Sequence, residues 1–201
     1  MSDFWDARYA AAAASDGTVW SLEPNAWVAA TVADLTIGAA IDLGAGEGRN
    51  ALWLASLGWH VTAVDFSSVG LETGRRRAEA LGLEVTWMTA DATTWVAAQP
   101  VDLVVMAYLQ LPVEAFAAAI ACATESLAPG GTLALISRDR DNLTRGVGGP
   151  QDPVLLTTVG ELRAAASALT IERCEQFERA TAAGTAIDTV LVARREAQPA
   201  R

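Results

Sequence analysis

The stretch Ala39-Ala40-Ile41-Asp42-Leu43-Gly44-Ala45-Gly46-Glu47-Gly48-Arg49-Asn50 constrains this chain more than any other. It reads as a short buried strand, a glycine turn and the start of a helix. Gly44, Gly46 and Gly48 let the backbone turn sharply and leave room for a ligand against it. The helix that starts near Arg49 offers unpaired N–H groups and the positive end of its dipole, which suits an anionic or strongly polar group. A second strand is expected from His60 and ends on Asp65. An acid there, about 20 residues past the glycines, suits a ribose diol. Two other glycine loops are excluded. No Lys-Ser or Lys-Thr follows, as a phosphate-binding loop requires. In the dinucleotide fingerprint G-x-G-x-x-G the third glycine would fall at Arg49, whereas here it is Gly48.

The rest of the chain extends that pattern. Residues 4–14 read as an Ala-rich helix, and 24–35 as a second with Pro24 in its first turn. Strands are expected at about 38–43, 60–65, 84–89, 101–106 and 132–137. A helix follows the first strand over about 49–57. Another runs from Ser67 or Ser68, either a good cap, to Gly82, and a third starts after Pro112. Leu127 to Gly131 carries helix-breaking chemistry. Arg138 to Pro153 reads as a long irregular loop, of a kind that is usually functional. Thr158 and Glu161 predict a capped helix over 158–168. The turn Ala182-Ala183-Gly184 predicts a hairpin of strands 170–179 and 185–194.

Composition narrows the partners. The 201 residues fit one α/β domain, and the net charge of −10 disfavours nucleic acid. The run Arg75-Arg76-Arg77 lies on a helix and reads as a solvated face. Cys122 and Cys174 have no metal-type spacing, and no metal site is expected. With no signal-peptide pattern and no apolar run of membrane-spanning length, a soluble cytoplasmic protein is expected, a monomer or homodimer with no membrane partner.

The form D-L-G-A-G-E-G, strand before and helix after, with Asp65 downstream, resembles motif I of the class I S-adenosylmethionine-dependent methyltransferases. F-W-D-A-R-Y, V-W-S-L-E-P-N, D-L-G-A-G-E-G-R-N, V-D-F-S, A-D-A, L-A-P-G-G-T-L and G-V-G-G-P-Q-D-P resemble the small bacterial tellurite-resistance and thiopurine methyltransferase group. The likeness covers nearly the whole chain. It implies an α/β fold with a Rossmann-like seven-stranded sheet, mostly parallel with the last strand antiparallel. Helices lie on both faces. The two aromatic-bearing segments ahead of the first strand, with Trp5, Tyr9 and Trp20, read as an N-terminal helical lid over the carboxyl ends of the strands, with a helix packed elsewhere on the sheet as the alternative. The chain divides accordingly into a helical cap over 1–35, a core over 36–195 and a frayed tail over 196–201.

The resemblance also implies a site for S-adenosylmethionine and a small-molecule methyl acceptor. Asp42, Gly44, Gly46, Arg49 and Asn50 would hold the methionine end. Asp65 would bind the ribose, with Phe66 and Ser67 beside it and Phe66 on the adenine. Asp91 would accept from the adenine amino group, next to Ala92. Met106, Ala107 and Tyr108 would lie beneath the sulfonium, under a lid bearing Tyr9 and Trp20. Turn capping is the alternative for Asp91, and a core aromatic for Tyr108.

The departures shape the chemistry. Arg138-Asp139 stands where related sequences carry His-Asp, and Glu178-Arg179 where the tellurite type carries His-Arg. The one histidine, His60, is at the wrong end of its strand, and the N/D-P-P-Y motif is replaced by Met106-Ala107-Tyr108-Leu109. Without a histidine base, an acceptor that is anionic or softly nucleophilic at neutral pH is expected: a thiol, a selenium or tellurium oxyanion, or a small natural product. Tyr108, Arg138 and Arg179 are the catalytic candidates. Arg140 and Arg145 are further cations, with surface ion pairs as the alternative for all the arginines. A non-catalytic binder of the same cofactor, a sensor or partner subunit, is the alternative function.

Overall fold

The computed structural model describes residues 2–15 and 17–197. Seven strands are present: β1 (Ala39–Leu43), β2 (His60–Asp65), β3 (Val85–Thr89), β4 (Val101–Ala107), β5 (Leu127–Arg138), β6 (Thr170–Thr181) and β7 (Gly184–Arg194). They form one sheet in the order β3-β2-β1-β4-β5-β7-β6. The first five are mutually parallel, and β7 runs antiparallel to both β5 and β6. The helices are α1 (Ser2–Ala13), α2 (Ala26–Val32), α3 (Arg49–Ser56), α4 (Ser68–Leu81), α5 (Val113–Ser126), the single turn α6 (Asn142–Arg145) and α7 (Val159–Ala165).

Alternation along the central strands builds two cores. Ala40, Leu103 and Val105 face one layer with Val28, Leu54 and Leu71, from α2, α3 and α4. Ile41, Leu43, Val104 and Met106 face the other with Phe116 and Ile120 of α5 and Leu162 of α7. Burial on both faces is why these strands read as continuous apolar runs. Each fully buried Leu, Ile or Phe contributes about 1.5–3 kcal/mol.

Several boundaries were legible. Ser67 caps α4 by accepting from the Gly70 N–H at 3.1 Å, and Gly82 closes it in a left-handed conformation. Thr158 and Glu161 form the capping box of α7. Others differ. The second helix starts at Ala26, leaving Pro24 outside, because the Asn25 side chain accepts from the N–H groups of Trp27 and Val28. β5 starts at Leu127, since extended backbone there already pairs with Val101. The 138–153 stretch is structured rather than a free loop. Buried Asn142 on α6 accepts from Ile187 N–H at 2.8 Å and donates to the Gly148 carbonyl at 2.7 Å, tying it to β7. The connection from β3 to β4 contains no helix, so strand and helix do not alternate there. Of the expected frayed tail, residues 198–201 lie outside the described residues.

Among the described residues no helix is long and apolar enough to cross a membrane, and no cluster of three metal-ligating side chains occurs.

Candidate active site

The loop after β1 lies at the carboxyl ends of the strands, and its shape requires glycine. Gly44 has φ +80°, and a Cβ there would stand 2.8 Å from Leu109. Gly46 has φ +55°, and its Cβ would stand 2.5 Å from the Tyr9 hydroxyl oxygen. Asp65, at the tip of β2, fixes this loop. Its two carboxylate oxygens accept from the N–H groups of Gly46 and Ser67, each at 2.8 Å. The carboxylate is thereby oriented, and each oxygen retains a lone pair for a diol. Burial raises its pKa, against the lowering effect of those N–H groups. Asp65 lines a narrow cleft of about 40 Å³ with Gly44, Ala45, Arg49, Asn50, Phe66, Ala107 and Tyr108, roofed by Trp5, Tyr9 and Trp20.

The roof is N-terminal. Trp5 stacks with Tyr9 and with Trp20 at centroid separations of 5.7 and 5.9 Å. The Ser67 hydroxyl donates to Asp6, holding α1 against the start of α4. Tyr9 is buried, which pushes its pKa up and leaves the phenol protonated.

A cavity of about 710 Å³ adjoins the cleft and shares Trp5, Trp20, Arg49, Tyr108 and Gln110 with it. Its far wall carries Arg138, Gly149, Gln151 and Arg179. Tyr108, Arg138 and Arg179 converge on one residue that sequence reasoning missed, Asp188 of β7, which is fully buried. The Tyr108 hydroxyl donates to Asp188 Oδ2 at 2.9 Å, and Arg179 Nε donates to the same oxygen at 3.1 Å. Arg138 Nη1 lies 2.8 Å from Asp188 Oδ1, an ion-pair contact without the alignment of a hydrogen bond. The Arg138 guanidinium also stacks 5.6 Å from the Tyr108 ring centre. Tyr108 has φ +58°, a left-handed conformation that costs a non-glycine residue about 1–3 kcal/mol. Burial first, and then the Asp188 charge, raise the Tyr108 pKa, so this phenol is a hydrogen-bond donor at neutral pH rather than a base.

Several expected site residues stand elsewhere. The Met106 side chain is fully buried in the α5-side core, because alternation along β4 turns Ala107 to the cleft instead. Ala92 also packs in that core. Asp91 Oδ1 accepts from the N–H and hydroxyl of Thr93, capping an exposed turn away from the cleft. Asp42 points from β1 into the start of α3, where it accepts from the Ala51 N–H at 3.0 Å, and burial pushes its pKa up to about 7. Ser67 is a helix cap. Arg140 pairs with Glu161, and Arg145 with Asp141, outside the cavity. The carboxylates next in sequence to Arg138 and Arg179 are also spoken for. Asp139 is buried among Thr189, Gln176 and the Asp141 N–H, and Glu178 is exposed beside Arg145. His60 sits at the amino end of β2, beside a separate cavity of about 750 Å³ that includes Trp87 and Trp95. Asp188 did leave a signal, as the lone charge within Ala186-Ile187-Asp188-Thr189-Val190-Leu191-Val192-Ala193.

The fold is shared with several solved proteins. A protein solved for the conversion of a disulfide bond into a thioacetal group during echinomycin biosynthesis superposes with a TM-score of 0.75. It is 25% identical, over 100% of this chain and 94% of that one. TehB from Haemophilus influenzae gives 0.74 at 19% identity, over 86% of this chain and 63% of that one. The N-methyltransferase NodS from Bradyrhizobium japonicum WM9, in complex with S-adenosylhomocysteine, gives 0.72 at 17% identity, over 95% and 98%. A [4+2]-cyclase, SpnF, has the same fold, so the architecture alone does not name a reaction. No curated protein sequence matches the chain. The sequence of residues 40–131, which holds the glycine loop and Asp65, matches the methyltransferase domain family.

Residues 40–131 thus carry a methyltransferase domain, in a fold shared with solved S-adenosylmethionine-dependent methyltransferases. The cofactor fits the chemistry of the cleft. The oriented Asp65 carboxylate suits the ribose hydroxyls, the free N–H groups at the start of α3 suit the methionine carboxylate, and Phe66 offers an aromatic face. The cleft also has aromatic walls, Trp5, Trp20 and Tyr108, which suit a cationic group.

Proposed function

We propose that the methyltransferase acts on a small acceptor that is anionic or softly nucleophilic at neutral pH. The observation that carries this reading is the arginine-lined cavity beside the cofactor cleft. Arg8, Arg49, Arg138 and Arg179 line it, in a chain whose net charge is −10. Asp188 offsets part of that charge and Asp152 a further part, so the cavity keeps a cationic excess. Guanidinium groups favour carboxylates and oxyanions through paired, charge-assisted hydrogen bonds.

S-adenosylmethionine, when bound, supplies a methyl group on a sulfonium that leaves readily in an in-line displacement. The chain's own residues then have two tasks. Trp5, Trp20 and Tyr108 exclude water and fix the approach line, and positioning of this kind supplies several kcal/mol. Arg138 and Arg179 hold the acceptor's charge. Among the described residues that line the cavity there is no histidine, and its one carboxylate, Asp152, caps the turn at Pro153 by accepting from the Val154 N–H. An acceptor that needs no base, a thiolate or a chalcogen oxyanion, matches that environment, as does a small natural product of either type.

The N-terminal segment, residues 4–22, is read as the lid of this site, and the chain as one unit of cap and core. Incubation with methyl-labelled cofactor and a panel of thiols, selenite, tellurite, phenols and amines tests the reading. Labelled product from an anionic or soft acceptor is expected. Product from amines alone would refute it.

A further inference from the structure

Glu47, in the middle of the glycine motif, lines neither the cofactor cleft nor the acceptor cavity. It is nevertheless 1% exposed and forms no ion pair among the described residues. Its Oε2 accepts from the main-chain N–H of Val19 at 2.9 Å and of Trp20 at 3.2 Å, while Oε1 is buried with no partner. Burying a carboxyl group is costly, so its placement is explained by what it holds. Two neighbours reach the same segment. Arg49 Nη1 donates to the Ser21 hydroxyl at 3.1 Å and its guanidinium lies 5.5 Å from the Trp20 ring centre. Asn50 Oδ1 accepts from the Asn25 N–H at 2.9 Å. Three side chains from Glu47 to Asn50 thus grip residues 19–25. The segment they grip carries Trp20, whose indole N–H reaches the Tyr9 hydroxyl at 3.5 Å and whose ring walls both the cleft and the cavity.

We propose that Glu47 is a positioning residue. It fixes Trp20 between the cofactor cleft and the acceptor cavity, so retention of the cofactor depends on a side chain that does not touch it. The inference rests on the methyltransferase reading and adds an internal latch to it. It also gives a physical reason for E-G-R-N and V-W-S-L-E-P-N to occur in one chain: the first binds the second.

The test is the dissociation rate of S-adenosylhomocysteine from the full chain, read by stopped-flow tryptophan fluorescence with displacement by excess S-adenosylmethionine. Glu47→Ala should release the ligand about tenfold faster or more, because two partly buried N–H groups lose their acceptor. Glu47→Gln should stay within about threefold of wild type, since its amide oxygen accepts from the same two groups. Trp20→Ala should release about as fast as Glu47→Ala, and the double variant no faster than Trp20→Ala alone. Multiplying effects in the double variant, or an unchanged rate in Glu47→Ala, would overturn the latch. If Glu47→Ala fails to fold, Glu47→Asp is measured against Trp20→Ala instead, since its carboxyl is one methylene short of the strap. A wild-type rate in Glu47→Asp would then overturn the latch. A wild-type protein that binds no S-adenosylhomocysteine would overturn the cofactor assignment instead, a failure distinct from that of Glu47.

Discussion

Replacing Asp188 with Ala should be among the most damaging single changes in this protein. The carboxylate is fully buried and has three polar partners, Tyr108 at 2.9 Å, Arg179 at 3.1 Å and Arg138 at 2.8 Å. Hydrogen bonds to a charged group contribute about 1.5–3 kcal/mol each, but two such bonds and an ion pair on one carboxylate do not add. The better measure is the cost of breaking a buried ion pair from one side, about 3–5 kcal/mol. The Arg179 side chain is 33% exposed and that of Arg138 13%, so solvent relieves part of the stranded charge and the lower half of that range applies. At about 2–4 °C per kcal/mol for a chain of this size, Tm should fall by about 6–16 °C. Scanning calorimetry of wild type, Asp188→Ala, Arg138→Ala and the double variant reads this directly. The double variant should recover part of the loss, because removing Arg138 removes a charge that Asp188→Ala leaves unpaired. Millimolar acetate should stabilise Asp188→Ala more than wild type. A Tm within about 1 °C of wild type, or strictly additive effects in the cycle, would refute the idea that Asp188 organises the cavity wall.

Three further outcomes are expected. Asp65→Ala should weaken S-adenosylhomocysteine binding by about 1–3 kcal/mol in calorimetry and also lower Tm, because Gly46 and Ser67 lose their acceptor; unchanged affinity in a folded variant would reject the ribose role. Amides in residues 4–15 and 17–22 should exchange more slowly when S-adenosylhomocysteine binds, and identical protection with and without it would mean the segment only packs. Asp42 has its pKa raised by burial to about 7, above the ordinary value of 3.8. Its contribution to stability is therefore fully present below about pH 3.8 and lost as pH rises through about 7, with a slope of at most about 1.4 kcal/mol per pH unit. Thermal melts from pH 5 to 8 should show wild type losing more stability than Asp42→Asn, and parallel profiles would contradict the assignment.

The fold was legible because its signals are local. Alternation and apolar runs located β1, β2 and β4, and single side chains located the helix ends at Ser67, Gly82 and Thr158. Where boundaries slipped, a non-local contact had intervened. β5 extends back to Leu127 because Val101 of a different strand pairs there, and nothing in L-A-P-G-G announces that partner. The second helix is the exception, since the Asn25 cap is local. Pro24 offered a competing start, and the side-chain hydrogen bonds of Asn25 won.

The candidate site was legible where its chemistry is carried by main chain and partly hidden where side chains meet across the sheet. Gly44 and Asp65 could be named because a turn and a strand tip fix them without help from distant residues. Met106 is named together with Ala107 and Tyr108, yet its side chain lies in the core, and in a strand one residue is the difference between core and cleft. Tyr108, Arg138 and Arg179 come from three strand ends far apart in sequence, and what gathers them is a carboxylate on a fourth segment. Asp188 looks at first like an error in an apolar strand. Its burial makes sense once two arginines and a phenol are seen to need a counter-charge, and the same need explains how a cavity can concentrate guanidinium groups without the sheet splaying apart. A charge buried in an apolar strand therefore marks a position whose partners belong to a site. Glu47 marks another such position in the glycine loop, where the partners are main-chain N–H groups of the strap rather than side chains.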